Sequence, residues 1–391
     1  MACIGDLDYF QIWLGTPAST SHRMPCIQCR CTFRGPTSWL DNRPNSQWQN
    51  TLLQADSWRQ HWNSPCLLLK LPGVSCWTIS YDLMHNFWLG WLQFAYGSIF
   101  YLLCFEILEE DPLTNLKTVG AFIREFQRKD KGHQRYRQRL EKLSMFVKQS
   151  GYPKLKGRSS DIKGLCAALK ACWMANMRAG VLQDQQIAAF LELNLDIHGL
   201  LEDYSPKYGF MSLPAPQCDE LYTKGLAMAQ LHVCLLQHYA QQEVLIWNLT
   251  SKTHYCLHSF YLARWLHPSL TRAFKGESTM KAVQTLWKSC LAVNKHWAVC
   301  TIAAFKMRHL MHLKDEKAWP KNACISFEHY LKITCDTCIH LNHAINSNTW
   351  HQTISSFQLI PTDKSYMIFW KPNNIFQKMA MCLRENIIQI Y

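Results

Sequence analysis

Acidic residues are scarce in this chain: 28 Asp and Glu stand against 41 Lys and Arg in 391 residues, a formal charge of +13 with the 17 His neutral. That balance favours polyanions as partners, nucleic acid first, because Lys and Arg that neutralise phosphates release condensed counterions. Glycine and proline are sparse too, at 16 and 15. Collagen-like and low-complexity chains are thereby excluded, and no internal repeat of solenoid period is found. Charged residues make up 18% and hydrophobic residues 48%, enough apolar surface to build a core and too much for a solvated, disordered polymer. The opening MACIGDLDYF lacks the basic-then-apolar pattern of a secretion signal. With 18 irregularly spread Cys, this points to a reducing, intracellular compartment.

One long charge-free run, Phe87 to Phe105, has about the length needed to cross a bilayer. It carries Gln93, two Gly and Ser98, and its far flank (Glu106, Glu109, Glu110, Asp111) is acidic rather than basic. A buried helix is therefore expected, with a membrane anchor as the alternative.

Residues 1–86 alternate short apolar runs with Pro, Gly, Asn and Ser, which reads as strands joined by loops, Val74 to Tyr81 being the clearest strand. Beyond them the apolar spacing becomes helical over Leu113–Phe126, Tyr136–Val147, Ile162–Met177, Gln185–Leu200 and Leu221–Trp247, and again from His254 to about His312. The segments Gln149–Ser160 and Asp203–Gln217 read as linkers. After Trp319 no confident element is legible. The expected organisation is an α/β core begun by residues 1–86, a large all-α insertion over 87–260, closing helices over 261–317, and a tail over 318–391.

The run Tyr81-Asp82-Leu83-Met84-His85 sets an acid at the end of a strand with a His three positions on. Strand ends are where active sites gather in α/β sheets, and an Asp there can bind a divalent metal while the His contacts phosphate or orients a ligand. Taken alone, the pair also suits a structural loop.

The segment resembles the D-x-M-H-x-x-x-L-G stretch around the second catalytic aspartate of CACTA-type and Plavaka-like DDE transposases, with Asp82, Met84, His85, Leu89 and Gly90 in its places. Gly5 to Phe10 followed by Pro25-Cys26-Ile27-Gln28-Cys29 is similar to the family's first-aspartate segment and the cysteine pair after it, and Lys275 to Lys281 to the segment carrying the closing glutamate. The resemblance implies an RNase H-like core with a helical insertion before the last acid. It also implies Asp8 (or Asp6), Asp82 and Glu277 as ligands of two Mg²⁺ or Mn²⁺ ions, with His85 as a phosphate or ligand-orienting contact. Such ions, about 3.5 to 4 Å apart, drive in-line cleavage and transfer of DNA strands. DNA in the nucleus is the implied partner, with a homo-oligomer allowed for and no membrane as first choice. Only five residues precede Asp6, and Lys275, Ser278 and Thr279 depart from the family pattern, so a shortened or degenerate, non-catalytic DNA-binding descendant is the rival expectation. Asp161, in LKGRSSDIKGL, is an alternative third acid, although it also suits a helix start, as does Glu277.

Cys26, Cys29 and Cys31 follow a C-x2-C-x-C spacing, and such a pair holds two thiolates at the separation a tetrahedral Zn²⁺ requires. The remaining ligands are not evident; His22, His61, Cys66 and Cys76 are available, and buried free thiols are the alternative. Cys335, Cys338, His340 and His343 form a second metal-like set. The densest positive charge, Arg124, Arg128, Lys129, Lys131, Arg135, Arg137, Arg139 and Lys142, reads as a phosphate-tracking surface, with Tyr136 placed to stack or to bond to the backbone, or as a solvated face. Trp173, Trp247, Trp265 and Trp287 are expected in the core.

Overall fold

Two short strands pair in parallel, β1 (Cys3–Gly5) with β2 (Ile79–Tyr81), in the register Cys3 to Ile79, Ile4 to Ser80 and Gly5 to Tyr81. A parallel pair forces a crossover connection and brings the C-terminal ends of both strands side by side. The structure, a computed structural model, describes residues 3–5, 10, 25–54, 74–75, 78–129, 135–148 and 151–273. The chain divides into two units at Phe274/Lys275, and all of these residues belong to the first.

From β2 the chain passes through Asp82 into α1 (Met84–Ile107), whose ends, Met84–Leu92 and Leu103–Ile107, are wound as wide π turns. The helix is apolar on every side, and such a helix belongs in a core. It is long and apolar enough to span a bilayer, yet 83% of its most apolar window is buried inside the protein. Phe87, Trp88, Trp91, Tyr96, Ile99 and Phe100 are all essentially inaccessible. The expected buried helix is therefore what the run forms. The loop at 153–155 crosses it at Gly97, where an added Cβ would lie 2.8 Å from the Lys154 backbone nitrogen, and Leu155 N–H donates to Gln93 O at 2.9 Å.

Helices wrap this axis: α2 (Pro112–Lys129), α3 (Ser159–Lys163), α4 (Cys166–Asn176), α5 (Leu182–Asp203), α6 (Ala215–Gln241) and α7 (Ser251–Tyr261). The start of α1 packs on α3 and α7, its end on α2 and α4, while α5 packs on α4 and α6. Buried polar bonds fix the arrangement: Asn194 Nδ2 donates to Tyr96 Oη at 2.6 Å, Trp91 Nε1 to His232 Nδ1 at 3.1 Å, and Trp247 N–H to Ser98 Oγ at 2.8 Å. The described chain is thus mostly helical, with two three-residue strands.

Several expectations are corrected. Of the strand expected over Val74–Tyr81, the described residues form Ile79–Tyr81, while Ser75 and Thr78 bond to each other, Ser75 N–H donating to Thr78 Oγ1 and Thr78 Oγ1 to Ser75 O. Between residues 25 and 54 the chain makes isolated bridges and one 3₁₀ turn (Gln47–Thr51) rather than strands. Tyr136–Val147 is not helical: Tyr136, Leu140 and Phe146 are separate anchors of an irregular segment with one 3₁₀ turn (Leu143–Met145), and their spacing only imitates a helical stripe. The helix begun near His254 ends at Tyr261 and gives way to 3₁₀ turns, the second opened by Pro268, which cannot extend an α-helix. Trp173 and Trp247 are core, but Trp265 is half exposed, against Tyr261 and Arg264. Trp287 lies outside the described residues.

Candidate functional site

Cys26 and Cys29 sit in a loop, and His254 and His258 lie one turn apart on α7, so both imidazoles share a helix face. The loop brings the thiols onto that face: Cys26 Sγ is 3.3 Å from His258 Nε2, Cys29 Sγ is 3.3 Å from His254 Nε2, and the two Nε2 atoms are 3.0 Å apart. All four residues are buried and their ligating atoms lie within 4.8 Å of one another, a set that can hold a metal ion.

The surroundings are built around it. Tyr81 Oη lies 3.3 Å from Cys26 Sγ and accepts Ile27 N–H at 2.9 Å, while Gln28 N–H points at the same sulfur, 3.3 Å away. Trp48 packs edge-on against both His254 and His258, and Tyr255 stacks on Tyr81 while donating to Pro25 O at 2.6 Å. Burial pushes the Cys26 thiol up, but Cys29, Cys31 and the two imidazoles outweigh it and hold Cys26 well below the ordinary thiol range. Burial, with Cys26 and Cys31, drives Cys29 the other way. His254 is pushed down by burial and by His258, which keeps it in the neutral form a metal requires.

Neither histidine was in the expected ligand set. His22, His61, Cys66 and Cys76 lie outside the described residues, as do Cys335, Cys338, His340 and His343. The legible signal was the H-x3-H spacing on a helix, but the cysteines stand 225 and 232 positions away from their partners.

Asp82 is 1% exposed and its side chain closes the first turn of α1. Its Oδ1 accepts Met84 N–H at 2.9 Å and Ala273 N–H at 3.0 Å, the latter from 191 positions away. Its Oδ2 meets His85 Nδ1, so the Asp–His pair expected from the sequence is formed. Lys252 holds this turn in place, donating to His85 O at 3.2 Å with its stem laid over Gly90, where a Cβ would come within 2.6 Å of Lys252 Cδ. Asp6, Asp8 and Glu277 lie outside the described residues. Asp161 is buried at the start of α3, where its Oδ2 accepts Arg158 N–H at 3.1 Å and the Gln138 amide at 3.0 Å, so it caps a helix.

Arg124, Arg128, Lys129, Arg135, Arg137, Arg139 and Lys142 are all exposed, while Lys131 lies outside the described residues. Arg128 and Lys129 pair with Glu125, and Arg139 lies 3.8 Å from Glu141. Tyr136 is buried and its hydroxyl donates to Lys156 O at 3.0 Å, so both its ring and its hydroxyl are engaged within the protein. No protein-family model matches the chain, and no curated protein or solved structure matches it either.

Proposed function

We propose that this chain is a transposase-type DNA-processing core: an RNase H-like framework with a helical insertion, acting in the nucleus on DNA through Mg²⁺ or Mn²⁺ held by Asp82 with Asp8 (or Asp6) and Glu277, and stapled by Zn²⁺. One observation carries the reading. Gly5, Asp82 and Ala273 belong to three separate stretches of chain that meet at one point, through the Gly5–Tyr81 pairing and the Ala273–Asp82 hydrogen bond. In sequence Asp6 follows Gly5 directly and Asp8 lies three positions after it, which supports pairing the first expected acid with Asp82; Glu277 belongs to the second unit and enters this reading from the sequence alone. Hard cations need several carboxylates drawn from such distant positions.

Zn²⁺ is the reading for the Cys26, Cys29, His254 and His258 set because two thiolates and two imidazoles are its structural ligands, whereas Mg²⁺ demands oxygen. Tetrahedral ligands at the usual Zn–S and Zn–N lengths lie about 3.3 to 3.8 Å from one another. The sulfur–nitrogen distances of 3.3 Å support that assignment, and the two Nε2 atoms, 3.0 Å apart, need to separate by a few tenths of an ångström around the ion.

The test is nicking of supercoiled plasmid with Mg²⁺. D8N, D82N and E277Q should each abolish it; undiminished nicking by D82N refutes the assigned role. A second reading, a non-catalytic DNA-binding descendant, is favoured by the saturation of Asp82, whose buried carboxylate already engages two N–H groups and His85. DNA binding without any nicking by the intact chain selects it.

A further inference from the structure

Arg272 has a side chain only 11% exposed, and just one of its nitrogens is matched: Nη1 donates to Glu202 Oε1 at 3.1 Å. Nε and Nη2 are buried and find no hydrogen-bond partner among the described residues. These two nitrogens form the side-on edge of the guanidinium, whose parallel N–H bonds fit two oxygens of one oxyanion. Elsewhere in this molecule that edge is used in this way: Arg43, Arg128 and Arg178 each turn it onto a carboxylate, Asp41, Glu125 and Asp184 respectively. Burying unmatched donors is costly, so the edge of Arg272 calls for a ligand.

The surroundings say of what kind. Lys163, 15% exposed, donates to the same Glu202 oxygen at 2.6 Å. Both cations face one aromatic ring, Arg272 at 4.9 Å and Lys163 at 5.7 Å from the Trp88 centroid. His198 and His267 stand beside them, pushed down to about 3 and about 4 by burial and by the neighbouring cations, and so are neutral. Two cations against one carboxylate leave a single positive charge. The cluster adjoins Asp82, since Arg272 precedes Ala273 and Trp88 lies one helical turn beyond His85.

We propose that Arg272, Lys163 and Trp88 form a binding cluster for one phosphodiester of a nucleic-acid strand, the phosphate oxygens taking the side-on edge of Arg272 and the ammonium of Lys163. Glu202, 41% exposed, is the counter-ion that holds the two cations together. The identity of the phosphate as a nucleic-acid phosphodiester rests on the DNA-processing reading; the oxyanion site itself rests on the geometry alone.

The test uses the full chain, a short fluorescent single-stranded oligodeoxynucleotide and inorganic phosphate. Phosphate should raise the melting temperature and displace the oligonucleotide. R272Q should weaken oligonucleotide binding about tenfold or more, R272K less, and E202Q should tighten it several-fold by removing the competing carboxylate. Should R272Q fail to melt cooperatively, E202Q decides, because it keeps both cations. Binding by folded R272Q within twofold of the parent, E202Q binding no tighter, or phosphate that binds without displacing the oligonucleotide would each overturn the proposal. D8N and E277Q separate the two readings: loss of nicking belongs to the carboxylates, whereas the Arg272 and Glu202 effects on binding persist in a chain that never nicks.

Discussion

Cys26 Sγ and His258 Nε2 stand 3.3 Å apart in space and 232 positions apart in sequence. Around that contact, with Cys29 and His254, the loop carrying the two cysteines is fastened to α7. A fastening of this kind carries folding energy, since no such set exists in the unfolded chain.

Purified protein should therefore carry one equivalent of zinc, measured by a colorimetric chelator after denaturation. C26S and H258A should lose it, and chelation should lower the melting temperature and broaden the transition. An unchanged melt after verified metal removal would discard the staple.

Asp82 should matter to the fold as well as to chemistry. D82A removes the side chain that closes the first turn of α1 and strands the buried Ala273 N–H, at a cost of about 2 to 4 kcal/mol. D82N keeps one acceptor oxygen and should lose less. Urea titration of the two variants measures the difference.

Gly90 is held small by Lys252 and by the backbone oxygen of His85, 2.9 Å from an added Cβ. G90A should destabilise by about 1 to 3 kcal/mol, and the double change with K252A should recover only part, because the carbonyl does not move aside. Full recovery in denaturant melts would contradict the packing.

His232 is buried, accepts from Trp91 Nε1 through Nδ1, and lies 3.0 Å from Trp247 O through Nε2. Burial pushes it down from 6.5 to about 4. The folded state therefore prefers the neutral ring: its stabilisation is complete above the unfolded value near 6.5 and is lost as pH falls from there toward about 4. The full loss is about 3 kcal/mol. Melts of H232Q and parent across that range should converge at low pH.

The exposed arginines after α2 offer a salt test. Reversing Arg135, Arg137 and Arg139 to Glu should weaken DNA binding and reduce the slope of log affinity against log salt by about one for each phosphate no longer neutralised. An unaltered slope would mean that this surface does not face DNA.

The long apolar helix was legible because its composition leaves no polar face, and the buried fate of Phe87 to Phe105 followed from its acidic flank. The Asp82–His85 pair was legible as a local i, i+3 relation. The segment from Tyr136 to Val147 misled because three isolated anchors mimic a helical stripe, while the carbonyls of Met145 and Phe146 accept instead from Lys156 and Lys154 in the following loop. The second half of the metal set was hidden for a different reason. Local spacing marks each pair, Cys26 with Cys29 and His254 with His258, but nothing local says that the pairs belong to each other.

That separation has a bearing on synthesis. A ribosome delivers Cys26 and Cys29 long before α7 exists, so the early thiols wait, reduced and unsealed, for most of the time the first unit takes to emerge. Metal capture at this set would thus be a late, closing event, possible only once most of the first unit has emerged. A transcript cut short anywhere upstream of residue 254 yields a polypeptide with half a clasp, unable to latch and open to oxidation or proteolytic clearance.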